Sequence, residues 1–128
     1  MTSSLTRTLT LIAVASTLGL AAAAAGAATI VVKCETRSDR SKASVDGKNL
    51  ASGNYTAMLT SGANSAQSKA AHTVGDEVEF DFDSNPRDIR KGATPIAKNF
   101  IVGGSATGSL LDANGNTVAT KTVNCRAR

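Results

Sequence analysis

Asp76-Glu77-Val78-Glu79-Phe80-Asp81-Phe82-Asp83 is the most regular stretch of the chain, alternating acid with apolar residue from Glu77 onward. Successive side chains of an extended chain point to opposite faces. Val78, Phe80 and Phe82 therefore share one side, and Glu77, Glu79, Asp81 and Asp83 the other. Such a segment reads as a strand with one face on a core and one in water.

The same period of two extends outward in both directions. In Thr29–Glu35, Ile30, Val32 and Cys34 share a face, with Lys33 and Glu35 opposite. Ala43 and Val45 lead into Asp46-Gly47, which reads as a tight turn. Between Asn54 and Ser61, Tyr55, Ala57 and Leu59 alternate with Thr56, Met58 and Thr60. Ser61–Ser65 reads as a polar loop and Gln67–Val74 as a weaker strand. Ser84–Asn99 breaks the pattern. Asn85-Pro86-Arg87-Asp88 has the makings of a helix start, with Asn85 as N-cap and Pro86 at the first helical position, and Gly92 ends it. This is a crossover between strands. Phe100–Val102 then reads as a short apolar strand. Ala106–Asp112 and Asn116–Cys125 flank Asn114-Gly115, a strong hairpin signal. Lys121 falls on the apolar face of its run, which either a bulge or an edge position explains. Seven or eight short strands separated by turns predict an all-β chain folded as an antiparallel β-sandwich.

Residues 1–28 have a different composition. Arg7 precedes the apolar run Leu9–Leu20, and the small-residue run Ala21–Ala28 follows. Charge, apolar core and small residues in that order read as a secretory signal helix, cleaved after Ala28 or after Ala27. A membrane anchor needs about 20 strongly apolar residues, and the Ala/Gly run is only weakly apolar. Lys33 stands before Cys34 where a lipoprotein signal needs a small residue. The expected division is a signal peptide, 1–28, and a single disulfide-closed β-sandwich domain, 29–128. No membrane span is expected after cleavage. The domain carries 13 basic and 10 acidic side chains, a mild +3, which does not mark a nucleic-acid binder.

The core is thin: Leu, Ile, Val and Phe number 19 in residues 29–128, and there is no Trp. Cys34 and Cys125, near the two ends of that segment, are expected to pair in the oxidising compartment that export reaches. A free or metal-bound pair of thiols is the alternative. The strands that carry the cysteines should then be neighbours, within one sheet or across the sandwich.

Candidate sites are few. Asp81, Asp83, Asn85 and Asp88 have the oxygen spacing of a calcium loop, but Pro86 stands where an EF-hand needs Gly and Gly92 where it needs Glu. The plainer reading is a strand with a solvated acidic face running into a capped turn. That face, Asp76, Glu77, Glu79, Asp81 and Asp83, holds half the acids of the domain and would either protect an edge or dock a basic partner. Lys33, Arg37, Arg40, Lys42 and Lys48 form one basic stretch, and Arg87, Arg90, Lys91 and Lys98 another. No aromatic platform is interleaved with them, as single-stranded nucleic acid would require. An anionic envelope surface or another envelope protein remains as a partner. His72 is the only histidine, so a zinc or copper site is not expected, and no nucleophile-elbow motif accompanies it. Asn54-Tyr55-Thr56 is a glycosylation sequon. No cofactor is implied.

Leu50-Ala-Ser-Gly-Asn-Tyr-Thr-Ala-Met-Leu59 and Gly108-Ser-Leu-Leu-Asp-Ala-Asn-Gly-Asn-Thr-Val118 resemble segments of transthyretin-like, carboxypeptidase-regulatory-type extracellular sandwich modules. The order of the two segments is reversed relative to those modules. The resemblance implies an immunoglobulin-like or transthyretin-like sandwich and no particular activity. The expected function is that of a non-catalytic exported protein, periplasmic or secreted, acting as a binding or structural module. A subunit of a surface fibre or envelope assembly is the second reading, although only five residues precede Cys34 in the mature chain. A small secreted enzyme is the third.

Overall fold

The computed structural model describes residues 27–128; the leader assigned to 1–28 lies, apart from Ala27 and Ala28, outside them. Ten strand segments and one short helix follow in the order β1 (Thr29–Arg37), β2 (Arg40–Lys48), β3 (Asn54–Ser61), β4 (Asn64–Gln67), β5 (Ala71–His72), β6 (Val78–Asp83), α1 (Pro86–Arg90), β7 (Thr94–Pro95), β8 (Ser105–Leu111), β9 (Thr117–Asn124) and β10 (Arg126–Ala127). Seven of the strands have four residues or more. The ten segments form two sheets of five, β10-β1-β2-β6-β7 and β4-β3-β8-β9 with β5 beside β3. All pairings are antiparallel except β1–β10 and β6–β7. The fold is an antiparallel β-sandwich.

The period-two pattern sets which side chains meet between the sheets. Val32 and Cys34 from β1, Ala43 and Val45 from β2, and Val78, Phe80 and Phe82 from β6 face Tyr55, Ala57 and Leu59 from β3 and Ala106 and Leu110 from β8. Phe82, Leu59, Leu110 and Val45 are fully buried. Among the described residues no buried side-chain polar atom lacks a hydrogen-bond partner, as a packed interior requires.

Asp46-Gly47 is not a turn. Both residues lie inside β2, where Asp46 pairs with Val31 and Glu79, and Gly47 with Ile30 and Val78. The turn before β2 is at Ser38-Asp39. Gly47 is there for close approach: a Cβ at this position would stand 2.6 Å from Leu110 Cδ2 and 2.9 Å from Leu50 Cδ1. Gly47→Ala is therefore expected to cost about 1–3 kcal/mol through overpacking. Gly53→Ala, where nothing lies within 4 Å of the added methyl, is the control. Paired urea titrations check this, and equal stabilities would remove the packing role.

Three further expectations change. Ser61–Ser65 is not a loop: β3 runs to Ser61 and β4 begins at Asn64, with only Gly62 and Ala63 turning between them. Gln67–Val74 is not one strand: it holds the last residue of β4 and the two-residue β5, split where side chains replace the ladder. Ala57 N donates to Ser68 Oγ (2.8 Å), and Gly53 N donates to Thr73 Oγ1 (3.2 Å). Phe100–Val102 is not a strand: Asn64 Nδ2 donates to Phe100 O (2.7 Å) and Val102 N to Ser61 Oγ (2.8 Å), so side chains satisfy this backbone. The two-residue β7 pairs with β6 instead.

The crossover helix is capped as expected, with Asn85 Oδ1 accepting from Arg87 N at 2.9 Å. The β8–β9 hairpin closes through Asp112, whose Oδ1 accepts from Asn114 N (2.9 Å) and Asn116 N (3.0 Å). A register shift lies at Leu110/Leu111. Lys121 is exposed on β9, the edge strand of its sheet; the edge position accounts for it.

Cys34 and Cys125 form a disulfide with a Cα–Cα distance of 4.7 Å. Cys125 is the single residue between β9 and β10, where the chain leaves one sheet and joins the other beside β1. The bond therefore ties the two sheets together at that corner. Among the described residues no helix is long and apolar enough to cross a membrane.

Candidate functional site

Sheet β4-β3-β8-β9 is almost free of charge. Its four main strands carry one ionised side chain, Lys121. The outer face is a hydroxyl mosaic, with Thr107 Oγ1 2.7 Å from Thr122 Oγ1 and Ser109 Oγ 3.0 Å from Thr120 Oγ1. The charged chemistry sits on the opposite sheet and on the crossover that follows β6.

The acidic row read from the sequence is divided into three by the fold. Asp76 and Glu77 belong to the turn before β6. Asp76 O accepts from Leu50 N at 3.0 Å, and Glu77 Oε1 stands 4.0 Å from Lys48 Nζ. Glu79 and Asp81 are exposed on the outer face of β6. Asp83, on the same side, is only 2 % exposed, so the face is not solvated along its whole length. The α1 crossover folds over Asp83 and supplies its cover.

Arg40, at the start of β2, makes that burial tolerable. Its Nε donates to Asp83 Oδ1 at 2.9 Å, and its Nη2 to Asp83 Oδ2 at 2.6 Å and Asp88 Oδ2 at 2.9 Å. Asp83 Oδ1 also accepts from Asn85 N at 2.9 Å. Burial alone would raise the Asp83 carboxyl, but the guanidinium and the Asn85 N–H outweigh it and hold it below its ordinary value. Two hydroxyls complete the knot: Ser84 Oγ accepts from Ser41 N (3.0 Å), and Ser41 Oγ donates to Lys98 O (2.6 Å). This network pins the crossover to β2 and β6.

The four oxygen residues with calcium-like spacing are thus placed differently from one another. Asp83 and Asp88 share the Arg40 cation, Asn85 caps the helix, and Asp81 is turned to the outer face with Glu79. Among the described residues no three His, Cys, Asp or Glu side chains are grouped to hold a metal ion. His72 is exposed, its Nδ1 3.0 Å from Asn54 Oδ1. Of the basic residues, Arg37 is 2.8 Å from Glu35, while Lys33, Lys42 and Lys48 stand exposed along β1 and β2.

A groove of about 800 Å³ runs along the outer edge of β6. One wall is Glu79–Asp81, another is Lys91–Pro95 after α1, and the third is Gln67–Ala71 between β4 and β5. The edge itself is open. β7 pairs only with Phe82 and Asp83, and Ile96 N donates to Asp83 O at 3.0 Å. Asp83 therefore turns its backbone groups away from β2, and the two-residue period turns those of Asp81 and Glu79 the same way. β7 takes up the Asp81 C=O, because Pro95 has no N–H and the Phe82–Thr94 pair must close through Thr94 N–H to Asp81 O. No strand receives the Asp81 N–H or the N–H and C=O of Glu79.

Asp46, on the neighbouring strand β2, adds a third carboxylate to the outer face beside the groove, a residue not singled out from the sequence. It sits opposite Glu79 across the β2–β6 ladder. Partial burial first, then the charges of Glu79 and Asp81, raise its carboxyl above the usual value. The signal was present in the alternation of Ser44, Asp46 and Lys48 with Ala43, Val45 and Gly47; the Asp-Gly pair concealed it.

No protein-family model matches the chain, and no curated protein matches it.

Proposed function

We propose that the protein is an exported, non-catalytic β-sandwich module of immunoglobulin-like or transthyretin-like type that works by binding, in the periplasm or outside the cell. The observation that carries this reading is the open outer edge of β6 with its groove. Unpaired backbone donors and acceptors at a sheet edge are the standard means of adding a partner's strand. The titratable groups nearest the groove serve architecture: Asp83 and Asp88 are held by Arg40. The disulfide fits an oxidising compartment, which agrees with the leader-like residues 1–28.

The test is cross-linking in cells. The full chain, expressed from its own start, carries a photo-reactive side chain at Glu79 or, as control, at Thr120 on the uncharged outer face. A cross-linked adduct with another envelope chain from Glu79 but not from Thr120 is the expected result. No adduct from Glu79, or equal adducts from both, overturns the reading. A ladder of copies of the chain itself would move the conclusion to a self-assembling subunit.

A further inference from the structure

We infer that the β6 edge takes an extended, basic segment of another protein, added as a strand beside Glu79–Asp81 with Lys or Arg on its outer face. This rests on the reading of the groove as a binding site and names the chemistry of its occupant.

Two independent features converge. The first is geometric. β7 already pairs in parallel with Phe82 and Asp83, taking the Asp81 C=O as well, and then leads away, so the edge is shown to accept a strand and is vacant from Val78 to the Asp81 N–H. The N–H and C=O of Glu79 and the N–H of Asp81 face that vacancy, so a partner strand gains main-chain hydrogen bonds there.

The second feature is charge. Asp46, Glu79 and Asp81 stand on one outer face, Asp46 directly opposite Glu79 and diagonal to Asp81, which faces Ser44. Among the described residues none of the three has an ion-pair partner within 4.0 Å, whereas Glu35, Glu77, Asp83 and Asp88 all do. Asp46 bears the cost, since the neighbouring carboxylates and partial burial disfavour its ionised form. A cation on the added strand would pair with Glu79 and Asp81, because opposite charges on adjacent strands attract across the ladder; Asp46 lies one strand further in.

The same charges exclude other occupants. A second copy adding through its own β6 would set Glu79 and Asp81 against their counterparts, and like charges across a ladder are destabilising. An acidic segment meets the same obstacle. Lys42, Lys69 and Lys91 also line the groove, Lys42 opposite Asp83. Glu79 and Asp81, on the strand beside the vacancy, are the groove carboxylates that no cation meets within 4.0 Å.

The experiment uses the oxidised protein recovered after expression of the full chain. Three eight-residue extended peptides are compared, alternating Thr with Lys, Gln or Glu. Binding is read by calorimetry at low salt and by hydrogen exchange of individual amides. The Lys peptide is expected to bind at least tenfold more tightly than the Gln peptide and to slow exchange of the Glu79 and Asp81 amides. The Glu79→Lys/Asp81→Lys variant, changed only at exposed side chains, is expected to prefer the Glu peptide; its melting curve confirms that it folds. If the Gln peptide binds as well as the Lys peptide and protects the same amides, the edge is a binding site but the basic partner is wrong. If no peptide protects those amides, both readings fall.

Discussion

Loss of the Cys34–Cys125 bond is expected to lower the free energy of unfolding by about 4–5 kcal/mol, the chain-entropy value for a closed loop of this size. The bond joins residues 91 apart, nearly the whole described chain. Domains of this size have only about 5–15 kcal/mol in total, and this one has few large apolar side chains to draw on. The bond also stands where the chain crosses from one sheet to the other, so its loss releases β10 and the end of β9 together. The measurement is the melting temperature of the Cys34→Ala/Cys125→Ala variant, and of the wild type after reduction in mild denaturant. A fall on the order of 20 °C corresponds to that energy for a domain of about 100 residues. A shift of only a degree or two would mean that the packed sheets alone carry the fold.

Arg40→Met is expected to cost about 3–5 kcal/mol at neutral pH, because it leaves a buried carboxylate unpaired. The side chain of Asp83 is 2 % exposed and that of Arg40 19 %, so water cannot simply replace the guanidinium. The pH dependence should also change sign. In the wild type the Asp83 carboxyl is held below its ordinary value of 3.8. Its contribution is therefore full above that value and is lost as pH falls through the lower, folded-state value. Without Arg40 the desolvation of Asp83 remains and the compensating cation is gone, so its folded-state value rises above the unfolded one. The variant should then recover stability relative to the wild type as pH falls from neutral toward 4; the raised Asp46 carboxyl contributes equally to both. Urea titrations between pH 7 and pH 4 separate the two curves. A variant that tracks the wild type would show that Asp83 is solvated after the exchange. Because the network holds the α1 crossover against β2 and β6, the same variant should loosen the wall of the groove formed by Lys91–Pro95.

Most of the strands were legible because each is a local statement. β3 occupies Asn54–Ser61, as its alternation predicts, and β6, β8 and β9 lie within a residue or two of theirs. The helix start was legible for the same reason, since Asn85 caps it from two residues away. Gly47 was misread because Asp-Gly has the same local preference in a turn and in a strand that must admit Leu110. The difference lies 63 residues along the chain and leaves no local trace.

The candidate site was only half legible. The alternation placed Glu79 and Asp81 on an outer face, but it gave Asp83 the same surroundings. Asp83 differs from them because a crossover folds over it and a guanidinium 43 residues away meets it. Asp46 was hidden by the turn-like Asp-Gly pair, and the open edge was beyond local reading, since an edge is defined by the strand that fails to arrive.

By itself, then, the sequence determined an all-β chain of alternating strands, the residues that face the core, the capped crossover and the pair of cysteines available to close it. These follow from side-chain period and local hydrogen bonding, which act over a few residues. The tertiary structure alone decided the strand order, the burial of Asp83 under Arg40, the grouping of Asp46 with Glu79 and Asp81, and the vacancy beside β6. Each of these depends on which distant segments lie next to one another, and that is settled by packing two sheets over one small core.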